Sequence, residues 1–97
     1  MRHEIHLAPE AVDDLKRLRA RDQAQLRDAM ETHLRHQPTK TSRSRIKRLR
    51  GLSKPQYRLR VGESRVFYDV TKRQVEVLAI VAKSDAMEWL EKTGERR

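Results

Sequence analysis

The 97-residue chain contains no cysteine, which removes disulfides, thiolate metal ligands and a cysteine nucleophile together. Nothing in it calls for an oxidising compartment. Aromatic residues make up only 4%, as one Trp, two Tyr and one Phe, so a core must come from Leu, Val, Ile, Ala and Met, with long charged side chains covering its edges. No apolar run approaches the roughly 20 residues a membrane helix needs. The opening MRHEIHLAPE lacks the apolar centre of a signal peptide. A cytoplasmic protein without membrane contact is the expectation. With three glycines in all, there is no Gly-rich phosphate loop, and neither a serine triad nor a carboxylate dyad can be read.

The most telling absence is regional. Between Thr32 and Gly62 there is no Asp or Glu, yet ten basic residues lie there: Arg35, Lys40, Arg43, Arg45, Lys47, Arg48, Arg50, Lys54, Arg58 and Arg60. The rest of the chain is close to neutral, so the formal charge of +9 is a local property. Such a concentration on a small domain favours a polyanionic partner, nucleic acid first.

The length fits one domain, spanning residues 1–97, with one modest core. Glu4 to Leu7 alternate as a short strand that stops at Ala8-Pro9, where proline suits the first turn of a helix. Val12, Leu15 and Leu18 form one apolar stripe and Leu26, Ala29, Met30 and Leu34 a second, predicting a helix pair broken near Arg21-Asp22. Gln37 to Arg45 lacks apolar side chains other than Pro38 and reads as a loop. Strands are predicted at Gln56 to Val61, Ser64 to Val70 and Val75 to Val81, with a shorter run at Ile46 to Leu49. The last long run is the most apolar and suits a central strand with antiparallel neighbours on both sides. Ser84 is placed as the N-cap of a short terminal helix carrying Met87, Trp89 and Leu90 and ending at Gly94, with Glu95 to Arg97 as a frayed tail. The class is α+β: an N-terminal strand and helix pair packed on an antiparallel sheet, with a short C-terminal helix. Helices on one sheet face would leave the other open for a ligand.

Strand periodicity puts Arg58 and Arg60 on one face and Tyr57, Leu59 and Val61 on the other. A tight turn at Gly62-Glu63 lets Arg65 join the two arginines. Like charges on neighbouring strands destabilise a sheet, whereas a phosphate between guanidinium forks reverses the sign. Scattered, solvated arginines are the bland alternative. The segment Ile46-Lys47-Arg48-Leu49-Arg50-Gly51-Leu52 anchors itself through Ile46, Leu49 and Leu52 and fills the gaps with cations. That suits tracking of a nucleic-acid backbone, or equally an edge strand protected by charge against aggregation. His3, His6, His33 and His36 do not assemble into a metal site by spacing, and no metal is expected.

The series RLRG, YRLRVGESRVFYDV and VEVLAIVAKSDAMEWL resembles the RelE/ParE superfamily of type II toxin-antitoxin toxins, its RelE-like branch in particular, over nearly the whole chain. The resemblance implies a fold like that of small microbial ribonucleases and a ribosome-dependent endoribonuclease that cuts messenger RNA without metal or other cofactor, by attack of a ribose 2′-OH on the neighbouring phosphate. It assigns Arg58, Arg60 and Arg65 to the scissile phosphate and implies RNA contacts for the basic segment, through Arg43, Arg45, Lys47, Arg48, Arg50 and Lys54. Family members add an arginine after the last core strand and a tyrosine in the terminal helix. Here the matching stretch reads AKSDAMEW, leaving Lys83 for the leaving-group side and Glu88 as a base only if its helix turns it inward. The implied partners are an acidic, partly disordered antitoxin, the ribosome and messenger RNA. A ParE-like inhibitor of DNA gyrase and a non-catalytic nucleic-acid-binding homologue are the alternatives.

Overall fold

The computed structural model describes residues 2–97. In chain order the elements are β1 (Glu4–Leu7), α1 (Pro9–Lys16), α2 (Ala20–Leu34), β2 (Ile46–Arg48), β3 (Leu52–Lys54), β4 (Tyr57–Val61), β5 (Ser64–Val70), β6 (Gln74–Ala82), α3 (Ala86–Thr93) and β7 (Glu95–Arg96). This is the expected α+β arrangement. Pro9 occupies the start of α1 after an extended Ala8, as its fixed φ and missing N–H allow. The break between the helices falls at residues 17–19, earlier than expected. Leu18 packs against the core there, and Arg19 is extended as the residue preceding α2.

Five strands form one sheet in the order β1-β6-β5-β4-β2. The segments β4, β5 and β6 make an antiparallel meander, and β2 adds antiparallel to β4. One expectation is corrected: β1 runs parallel to β6, pairing Ile5 with Val75 and Leu7 with Val77. The chain leaves β1 through α1, and helices are what lets a parallel neighbour form. A register shift opposite Phe67 and Tyr68 leaves Leu78 as an extra residue in β6, which bends the strand locally.

On one face of the sheet, Leu15, Leu26, Met30 and Leu34 from the helices meet Leu59, Val66, Tyr68, Val75 and Val77. The second face is not the open surface that the sequence suggested. Phe67 and Ala79 point to it and are fully buried, because α3 lies across them and stacks Trp89 on Phe67 at 4.8 Å between ring centroids. The indole Nε1 of Trp89 also donates to Glu10 at 2.8 Å, tying α3 to α1. Two further corrections concern this end of the chain. Lys83–Asp85 form a 3-10 turn and α3 starts after Asp85, with no side chain capping it. Residues Glu95–Arg96 are not a frayed tail but pair antiparallel with β3, a strand that the sequence did not announce. No helix among the described residues is long and apolar enough to cross a membrane.

Candidate functional site

The β4–β5 hairpin carries the cationic row. Its turn is tight because Gly62 adopts a φ of +56°, a left-handed conformation that glycine reaches without steric cost. The register then sets Arg60 directly opposite Arg65, with Arg58 opposite Phe67. Arg58, Arg60 and Arg65 therefore share the second face of the sheet, beside the area roofed by α3.

The three are not equivalent. Arg60 is exposed, Arg58 half-buried and Arg65 buried. The Nη1 of Arg65 donates to the carbonyl oxygens of Gly62 and Ser64 at 2.8 and 2.9 Å, so this guanidinium is fixed to the turn and keeps Nε and Nη2 free of those two bonds. The Nε of Arg58 is buried with no hydrogen-bond partner. Burial, then the charges of Arg65 and Arg60, push the pKa of Arg58 below the ordinary arginine value. None of the ion pairs among the described residues neutralises any of the three. Three guanidinium groups close together on one sheet face, with no carboxylate of the described residues paired to them, make a site of concentrated positive potential.

Lys83 is exposed at the same end of the sheet. Its backbone N–H donates to the Glu63 carbonyl at 2.7 Å, joining the end of β6 to the hairpin turn. Lys47 sits opposite Arg58 in the β2–β4 ladder, extending the row to the sheet edge. The other basic residues of the segment go elsewhere. Arg48 lies 5.1 Å over the ring of Tyr57, a cation–π contact on the helix-covered side. Arg45 lines a cleft with His33, His36 and Lys40 at the end of α2. Arg43 is exposed in the loop before β2 and Arg50 in the turn before β3. Lys54 lines a cavity with Glu10, Glu95 and Trp89 under α3.

The proton-transfer candidates are equally well defined. Glu88 faces solvent, accepting from Lys92 at 2.8 Å. Tyr68 is fully buried and donates to the Pro38 carbonyl at 2.7 Å, and Tyr57 stacks on it at 5.5 Å. Neither tyrosine reaches the arginine row. The site thus offers fixed positive charge and hydrogen-bond donors, chemistry suited to gripping a phosphodiester and to stabilising the extra negative charge of a pentacoordinate phosphorus.

Among solved structures, the RelE-RelB complex of Pyrococcus horikoshii OT3 contains a chain of similar fold, with a TM-score of 0.70 at 20% identity over 86% of this chain and 97% of that one. The RelBE2 toxin-antitoxin complex of Mycobacterium tuberculosis gives 0.65 at 21% over 84% and 99%. The Escherichia coli DinJ-YafQ toxin-antitoxin complex gives 0.66 at 15% over 87% and 96%. At these identities the likeness is one of fold. No curated sequence matches the chain. The family model described as ParE toxin of type II toxin-antitoxin system matches residues 5–87, which take in α1, α2 and the whole β4–β6 meander. The chain belongs to this toxin family, within the RelE/ParE superfamily that its sequence motifs resemble.

Proposed function

We propose that this toxin is a ribosome-dependent endoribonuclease of messenger RNA, cleaving by attack of a ribose 2′-OH on the adjacent phosphorus. The observation that carries the reading is the uncompensated row of Arg58, Arg60 and Arg65 on one sheet face. Three like charges held within reach of one another cost stability, and a bound phosphodiester turns that cost into attraction. In the reaction the 2′-OH gives its proton to solvent water as its oxygen bonds to phosphorus, the bond to the 5′ oxygen breaks, and the products are a 2′,3′-cyclic phosphate and a 5′-hydroxyl. Arg58 and Arg60 hold the non-bridging oxygens, and Arg65, locked to its turn, adds fixed positive charge. Lys83 stands on the leaving-group side and supplies a proton to the 5′ oxygen.

A catalyst with few acid–base groups relies on positioning, which ribosomal RNA supplies by orienting the message. The cognate antitoxin is acidic and covers the arginine row. Translation extracts programmed with a defined message test the reading: the wild-type toxin gives cuts in phase with codons, and loss of those cuts in Arg58→Gln/Arg60→Gln ties them to the row. The match to a ParE description favours one competing reading, poisoning of DNA gyrase. Inhibition of supercoiling with no cutting of messenger RNA would select it.

A further inference from the structure

A second cationic cleft lies around the β2 edge from the arginine row. It occupies about 300 Å³ between the last turn of α2, the loop that follows and the start of β2. His33 and His36 come from the helix end, Lys40, Thr41 and Ser42 from the loop, and Arg45 from the approach to β2. No carboxylate lines it. The loop is held by its own hydrogen bonds: Ser42 N–H donates to the Ile46 carbonyl at 3.0 Å, and Ser42 Oγ accepts from Arg45 N–H at 3.0 Å and from Ile46 N–H at 3.4 Å. Because Ser42 Oγ is occupied as an acceptor, its own O–H is left to donate. The side chains of Arg45 and Lys40 line the cleft beside it. Desolvation, then the Arg45 charge, lower the pKa of His33, the response of a partly buried imidazole beside a cation.

The cleft is not isolated from the candidate active site. Arg60 N–H donates to the Arg45 carbonyl at 2.9 Å, so the residue that opens the cleft is joined through the backbone to the central member of the arginine row. A strand of RNA lying on that row and crossing the short β2 edge enters the cleft next. Its volume matches the lower end of small-ligand sites, enough for one nucleotide.

We propose that this cleft is a second nucleotide subsite, which holds the phosphate and sugar of a nucleotide flanking the scissile one. Lys40, Arg45 and the Ser42 hydroxyl take the phosphate, and His33 and His36 border the sugar. The inference rests on the reading of the toxin as an RNA-cleaving enzyme.

The experiment uses the full chain and a single-stranded RNA hexamer made uncleavable by 2′-O-methyl groups, with inorganic phosphate as a separate probe. In the wild type, RNA is expected to move the imidazole NMR signals of both His33 and His36. The variant Lys40→Gln/Arg45→Gln changes two exposed side chains and retains the fold, as its amide spectrum will show. It is expected to bind the hexamer more weakly, with the slope of log K against log salt smaller by about 0.7 to 1, the signature of one lost phosphate contact on a single strand. Hexamer binding with unaltered slope in the variant, and with both histidine signals unmoved in the wild type, overturns the subsite while leaving the nuclease reading intact. Histidine signals that respond to inorganic phosphate but not to RNA overturn it in favour of a free-anion site. Failure of wild-type toxin to bind the hexamer while still cutting messenger RNA on ribosomes overturns the subsite alone; failure of both overturns the nuclease reading with it.

Discussion

Arg60 and Arg65 stand directly opposite each other in the β4–β5 ladder, two like charges on one face of the sheet. Opposed like charges destabilise a strand pair by about 0.2 to 1 kcal/mol. Replacing Arg60 with Gln is therefore expected to raise stability by about that amount, read as a higher urea midpoint at unchanged slope. On the proposed nuclease reading, the same change should lower messenger-RNA cutting by about a hundredfold or more, the usual effect of removing one donor to transition-state charge. Opposite signs in the two measurements mark a residue retained for function against stability. A variant that gains stability and cuts at the wild-type rate would remove Arg60 from the site.

Asp14 gives the contrasting case, a buried carboxylate with a structural task. Its Oδ2 accepts the Ile80 backbone N–H at 2.9 Å, and its other oxygen pairs with Arg17. The β1 ladder ends at Val77, so α1 takes over as the hydrogen-bonding neighbour of β6. Asp14→Ala should leave that N–H without a partner and cost about 1 to 3 kcal/mol. Denaturation curves will show the loss, and Asp14→Asn, which keeps an acceptor oxygen, should recover part of it.

Tyr68 predicts a specific failure at alkaline pH. Burial, then the neighbouring Tyr57, push its hydroxyl far above the ordinary tyrosine value near 10. The folded state thus keeps a proton that the unfolded chain gives up, and the contribution of this group to stability should be flat below about pH 10 and fall as pH rises beyond it. In Tyr68→Phe this part of the alkaline loss should vanish. The same variant loses the bond to the Pro38 carbonyl and should be less stable at neutral pH by about 1 kcal/mol. An unchanged alkaline limb in Tyr68→Phe would assign the loss to other groups.

Trp89 holds α3 on the sheet. Removing it exposes Phe67 and breaks the bond to Glu10, so Trp89→Ala should cost about 2 kcal/mol or more, toward the range for large-to-small aromatic changes. Trp89→Phe keeps a ring over Phe67 and should recover most of that. Hydrogen exchange of the α3 amides offers an independent check. Protection should drop in the alanine variant before it drops in β5 or β6.

The parts of this fold that were legible in sequence are those that declare themselves by local pattern. Alternation in YRLRV and SRVFYDV gave strand limits within a residue and the common face of Arg58, Arg60 and Arg65, because side-chain direction in a strand follows from parity alone. Pro9 marked its helix start for an equally local reason. What parity cannot reveal is what lies above a face. By parity Phe67 falls on the same face as Arg65, the face expected to be open, and only the return of Trp89 over it shows why an aromatic belongs there. Leu52–Lys54 has too little apolar character to stand as a strand by itself and exists through its pairing with Glu95–Arg96. Cation–π attraction takes Arg48 out of the basic surface, and the cleft at Arg45 brings together His33, His36 and Lys40 through a loop whose path is set by Tyr68 gripping Pro38.

The parallel pairing of Glu4–Leu7 with Gln74–Val77 has a consequence for how the molecule comes into being. Contacts so remote along the chain impose a large loop-closure cost and slow folding. During synthesis the first strand has no partner until most of the polypeptide has been made, so the sheet is completed late. A chain built this way spends its earliest moments unfinished, with the edge of β6 that the first strand covers still unpaired.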